Sequence, residues 1–280
     1  MTLGVFLAVL AAAAMHAIWN ATIKVRLDRF ASISLMTVGM GVVALPALPF
    51  VTLPGALGWL LIAASVALHI GYRLFLVKAY ASGDLAQTYP LARGAAPLLT
   101  TLGGIVLIRE IPDQLAILGI LLLSAGTLLM SMRGGNGLTV ERRAIGFAFI
   151  TSLFVAAYTL TDGMGARSSD GAASYAAWLF VADAIVTGGV MLSMRGRGIV
   201  STMLPEWRIG LITGALAAGA YWIAVWAMTQ APIASVAALR ETSILFAMAI
   251  SVFSLGEAVT RWRVVAALLI VGGIIALKLG

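Results

Sequence analysis

Cysteine is absent from the 280 residues, and histidine occurs only twice, as His16 and His69. Thiol redox chemistry, iron–sulfur clusters and Cys/His zinc sites are thereby excluded, and no metal or other cofactor is expected. Charge is equally scarce, with 10% of residues carrying one against roughly a quarter in a soluble domain. Period-two alternation is missing, which argues against a membrane barrel. So are a GxSxG elbow, an HExxH pair, a paired-aspartate motif and a Walker A loop, which weighs against an intramembrane enzyme acting on a lipid or peptide.

What fills the chain instead is apolar length. Hydrophobic residues make up 61% of it, and the mean hydropathy is +1.05. Apolar blocks of about 20 residues, enough to cross a ~30 Å hydrocarbon core as a helix, recur from end to end. Ten spans are predicted, over roughly 3–23, 31–52, 57–77, 85–108, 114–132, 144–165, 172–194, 208–229, 233–255 and 263–279. They must be helices, because open strands leave backbone groups unpaired in lipid. The first span has no basic segment before it and is read as retained, with a signal peptide cleaved near "AAAAMHA" as the alternative.

The net charge of +7 lies mostly in short connections beside the spans, so it reports topology and no nucleic-acid partner is expected. Twelve Lys and Arg residues fall in the odd connections, from Lys24 to Arg263, against three (Arg109, Arg167, Lys278) in the even ones and the C-terminal end. That bias places the odd connections in the cytoplasm and both termini outside.

Self-comparison finds one offset that serves two charged pairs: Arg93 and Glu110 are matched 147 residues later by Arg240 and Glu257. The same register sets Gly126 on Gly273. The chain therefore reads as two five-helix units, 1–135 and 140–280. Because five is odd, the second unit enters the membrane inverted. The fold expected is an all-α integral membrane bundle of two inverted repeats around a central cavity, a transporter architecture.

Several stretches resemble a known family. "GDLAQTYPLARGAAPLL" in the fourth span, "LRETS" in the ninth, "AIWNATIK" in the first, and "LGE" ahead of a glycine-bearing last helix are similar to the EamA family of the drug/metabolite transporter superfamily. They resemble in particular a bacterial branch that includes exporters of amino acids, aromatic ones among them. The resemblance implies a secondary transporter of the bacterial inner membrane that moves amino acids or related metabolites outward. It also implies cytoplasmic termini, opposite to the charge bias. The expected partners are a small-molecule substrate and membrane lipid, with no nucleic acid and a monomeric state. Other metabolites, organic cations, an intramembrane enzyme and a passive channel are the alternatives.

Candidate binding residues are the polar and aromatic side chains within spans. A charge at mid-membrane costs about 2.5 to 3.5 kcal/mol on insertion scales, so such residues face a cavity or a partner. Pro90, Arg93 and Pro97 share one face of the fourth span, and a guanidinium there suits a ligand carboxylate. Arg93 and Arg240 are expected either to meet substrate or to pair internally, Arg240 with Glu241 or across the halves. His16, Asn20 and Lys24 form a polar stripe in the first span, with Trp19 beside it; His69, Tyr72 and Arg73 do so in the third. The histidines could relay protons, since imidazole titrates near neutral pH. Tyr89, Tyr158, Trp178, Tyr221 and Trp222 are expected to line the pocket, where they could stack on a side chain or hold an ammonium. Asp183, at mid-span, could balance an arginine. Asp162 is expected to be solvated near a span end, and Glu110 and Glu257 to be structural anchors.

Overall fold

The structure, a computed structural model, describes residues 1–23, 27–82, 85–133, 142–256 and 259–280; the side chains at 85–87, 89–90, 131–133 and 254–255 are outside that description. Lys24, Glu257 and the side chain of Tyr89 therefore lie outside the described residues. Among those residues the chain is helical throughout, with no strand.

Twelve α-helices follow one another. The first five are α1 (Leu3–Thr22), α2 (Arg29–Ala44), α3 (Ala56–Ala81), α4 (Leu85–Leu107) and α5 (Gln114–Arg133). The remainder are α6 (Arg142–Ser168), α7 (Ala172–Arg195), α8 (Gly198–Met203), α9 (Trp207–Gln230), α10 (Ile233–Arg240), α11 (Ser243–Leu255) and α12 (Arg261–Leu279). α1, α2, α5 and α12 start behind short polar side chains that accept from otherwise unpaired N–H groups. Asp28 accepts from Ala31 N–H at 3.0 Å and Asp113 from Ala116 N–H at 2.9 Å. Eight helical stretches are long and apolar enough to cross a membrane, and the apolar stretches Leu91–Leu107 and Gln114–Met130 are shorter.

The polarity of the bundle is inverted relative to a soluble protein. Phe50, Ile111 and Phe253 are exposed at 88%, 74% and 87%, whereas Arg73, Arg93, Asp162, Asp183 and Glu241 are buried. Apolar outer faces and charged interiors are what a hydrocarbon surround selects.

The helix contacts fall into matching sets. α5 packs on α12 and α2 on α7; α3 packs on α6 as α1 does on α9, and α4 packs on α6 as α10 and α11 do on α1. Exchanging the members of each sequence-related pair maps these contacts onto one another. Small residues permit the closest approaches, because in lipid van der Waals packing replaces the hydrophobic effect between helices. A Cβ on Gly39 would collide with the Gly210 carbonyl where α2 meets α9, and one on Gly273 would collide with the Gly119 carbonyl where α12 meets α5. The main apolar core, with Val9, Ile120, Leu123, Ile233, Leu239 and Ile270, lies at one end between α1, α5, α10 and α12. A second core around Tyr175, Leu179 and Phe180 joins α3, α7 and α9. The site borders the second core at Leu179 and Phe180 and a third at Ile23, Ile33, Met36 and Leu76.

Two helices are irregular at matching sequence positions. α4 runs continuously through Pro90 and Pro97, but Pro97 has no N–H to give to the Arg93 carbonyl. The ninth predicted span is interrupted outright. Glu241 N–H bonds Ala238 O at 3.0 Å and Ile244 N–H bonds Glu241 O at 3.0 Å, tight three-residue turns that separate α10 from α11.

Candidate functional site

A cavity of about 110 Å³ opens inside the bundle. α1 supplies His16, Trp19 and Asn20 to it, α3 supplies His69, Tyr72, Arg73 and Tyr80, and α4 supplies Arg93. α6 adds Tyr158, α7 adds Phe180 and Asp183, α9 adds Tyr221, and α10 ends in the wall at Arg240. Each set follows helical spacing, so its members stack on one face. Toward one end the lining reaches Ile23, Arg29 and Tyr80, which sit where α1 and α3 end and α2 begins.

Most of the aromatic groups touch one another. His69 stacks on Tyr158 with centroids 4.0 Å apart, and Tyr72 and Tyr221 meet the Tyr158 ring edgewise at 5.7 and 6.4 Å. His69 Nδ1 lies 2.9 Å from the Ser65 carbonyl, and because that oxygen only accepts, Nδ1 carries the hydrogen. His16 meets Trp19 edgewise at 5.0 Å, and Asn20 donates to the His16 carbonyl at 3.0 Å.

Two buried ion pairs join the halves of the chain beside the cavity. Arg93 Nε donates to Glu241 Oε2 at 3.0 Å, and its terminal nitrogen lies 2.7 Å from Oε1, a two-pronged fork. Arg73 likewise grips Asp183 with both terminal nitrogens, and Nη1 adds the Thr187 hydroxyl at 2.7 Å. Arg93 therefore pairs across the halves, the internal alternative for it, through the glutamate that the sequence had set beside Arg240. Asp183 does balance an arginine.

Arg240 is held differently. Its guanidinium lies over the Tyr221 ring, 4.9 Å from the centroid. Among the described residues no ion pair reaches it.

Asp162 requires a correction. Far from being solvated, it has no exposed surface, and its carboxylate accepts from Tyr175 Oη at 2.9 Å and from Tyr221 Oη. α6 runs on to Ser168, beyond the predicted span end, which carries Asp162 inside. Its i, i+4 spacing from Tyr158 was the signal that could have revealed it.

Two aromatics do not reach the cavity. Trp222 is 37% exposed on the outer face of α9, one residue and hence about 100° around the helix from Tyr221. Trp178 turns toward Thr52, donating to its carbonyl at 3.2 Å, and meets Trp59 edgewise. Glu241 stands behind the wall, ion-paired to Arg93. Arg29, Tyr80 and Phe180 are lining residues that sequence spacing did not single out.

The end of the bundle opposite Arg29 is tied together by side-chain hydrogen bonds. Arg109 takes a left-handed φ of 55° and Glu110 N–H returns to the Gly104 carbonyl at 3.0 Å, which folds the chain back after α4. Glu110 then accepts from Arg167 at 2.9 Å and from Ile233 N–H, the first residue of α10, at 2.8 Å. Arg167 also donates to the Met228 and Ala231 carbonyls at 2.7 and 3.0 Å, satisfying the open end of α9. The anchor role read for Glu110 thus has a specific form, a knot between α4, α6, α9 and α10.

Comparison with known proteins bears on both halves. Residues 142–279, which span α6 to α12, match the EamA-like transporter family. No curated protein sequence matches the chain. A solved crystal structure that is 19% identical superposes on it with a TM-score of 0.78, covering 98% of this chain and 95% of its own. At that identity the likeness is one of fold.

Proposed function

We propose that this chain, whose residues 142–279 match the EamA-like transporter family, is a secondary transporter that exports amino acids and related small metabolites across the bacterial inner membrane. The mechanism is alternating access by two inverted five-helix repeats, 1–135 and 140–280, arranged as ten spans and working as a monomer. The observation that carries this reading is a polar, aromatic-lined cavity at the junction of the halves, beside a helix broken at Glu241. Discontinuous helices facing a central site are how transporters of this symmetry bind solute. Tyr72, Tyr158 and Trp19 supply ring faces for an aromatic or aliphatic side chain and for an ammonium.

Counterflow in proteoliposomes tests it. Liposomes preloaded in turn with neutral, charged and aromatic amino acids and an organic cation should show saturable exchange for a subset of the amino acids. That exchange should be lost with Arg93→Ala, which removes one member of a cross-half pair. An empty result across the amino acids would discard the substrate assignment.

The knot at Glu110 and Arg167 makes a second expectation. We read the knot as the closed gate and the α1–α2 end, toward which the cavity lining extends to Arg29, as the side from which solute enters. The chain has no cysteine, and a single one placed at Met36 in the cavity wall reports access without background. An impermeant thiol reagent should label it from the α1–α2 side and slowly from the other. Glu110→Gln weakens a part-exposed pair worth about 1 kcal/mol, so labelling from the closed side should rise about fivefold. Unchanged labelling from that side would mean that the knot is not the gate.

A further inference from the structure

The charges around the cavity do not balance. Among the described residues its lining holds four arginines (Arg29, Arg73, Arg93 and Arg240) and one carboxylate, Asp183. Asp183 is taken by Arg73, and Arg93 is satisfied from behind by Glu241. That leaves Arg29 and Arg240 without an ion pair among the described residues.

Both are held by ring faces. Arg29 lies over Tyr80 at 5.0 Å and Arg240 over Tyr221 at 4.9 Å. A ring face positions a guanidinium while using none of its five N–H donors. The Tyr221 hydroxyl donates to Asp162, which makes that ring more electron-rich and a better seat for a cation. Among the described residues, Arg240 is therefore fixed in place with its hydrogen-bonding fork unspent.

The repeat indicates what is missing. Arg93 and Arg240 occupy equivalent positions, and Arg93 has its carboxylate at Glu241. The same 147-residue register sets Glu241 on Gly94, which has no side chain to offer Arg240.

We propose that Arg240 is the anchor for a carboxylate of the transported solute, which supplies the counter-charge that the second half of the pseudo-symmetry lacks. Arg29, at the end of the cavity where α2 begins, draws the anion in. The solutes taken are small carboxylates, zwitterionic or anionic, and their amides and simple organic cations are rejected. This inference rests on the transporter reading and narrows its substrate class.

Acid and amide pairs test it with the full-length protein. The probes are phenylalanine and phenylalaninamide, leucine and leucinamide, 3-phenylpropionate and its amide, and succinate and succinamide. Binding is read by thermal shift and transport by counterflow. Acids should bind and exchange, with the amides about tenfold to a hundredfold weaker, the range expected for a hydrogen bond to a charged group. Arg240→Gln should abolish that preference, and Arg240→Lys should keep part of it, since lysine retains the charge but loses the fork. The wild-type comparison stands even if a variant fails to fold.

Should succinate or 3-phenylpropionate show an Arg240-dependent preference while no amino acid exchanges, the anchor stands and the amino-acid reading falls. Should amino acids exchange while Arg240→Gln keeps the full acid preference, the amino-acid reading stands and the anchor falls. Equal binding of every acid and its amide by the wild type overturns the anchor outright.

Discussion

Glu241→Ala is expected to cost about 3–5 kcal/mol of stability and to abolish transport, because it leaves Arg93 as an uncompensated charge inside the bundle. Arg93 is 5% exposed and gives two nitrogens to this one carboxylate. Replacing both partners by apolar residues, Arg93→Met with Glu241→Met, should recover most of the stability, since exchanging a buried pair for packed apolar groups is often neutral or better. Transport should not recover, because the pair is the polar link between α4 and the break after α10. Thermal melts in detergent combined with counterflow separate the two effects. A loss below about 1 kcal/mol for the single variant would mean that water reaches the pair and screens it as at a surface.

Asp183→Leu should produce the second large effect, again about 3–5 kcal/mol, by stranding Arg73. The milder Asp183→Asn keeps an oxygen acceptor, and the Thr187 hydroxyl still takes Nη1, so its loss should be smaller. Arg73, unlike Arg93, would then face the cavity as a third cation without a carboxylate, and acidic solutes should bind the Asn variant more tightly than the wild type. Melting temperatures in the order wild type, Asn, Leu, together with thermal shifts by succinate, give the check. Equal melting of all three would show that Asp183 carries no net charge compensation.

Much of this architecture was legible in the chain. The apolar spans coincide closely with helices because an isolated span must satisfy its own backbone hydrogen bonds, which makes helix placement a local matter. The cavity face was legible for the same reason: His16, Trp19 and Asn20, then His69, Tyr72 and Arg73, share faces by spacing alone. Trp178 and Trp222 show where that logic fails. Depth along the chain is readable, but a single residue step turns a side chain about 100°, and near a face edge only the neighbours decide whether it looks inward.

The sequence by itself determined that the chain is a helical membrane bundle, that Arg93 and Glu110 recur 147 residues later as Arg240 and Glu257, and that Arg73, Arg93 and Asp183 lie in the interior. Those properties depend on length, hydropathy and local periodicity. Only the tertiary structure decided which arginines are neutralised. Arg73 finds Asp183 from 110 residues away and Arg93 finds Glu241 from 148. An ion pair is set by what comes within about 4 Å across a helix interface, and no periodicity records that distance. The same contacts decided that Asp162 is spent on two tyrosines and that Arg240 rests on a ring.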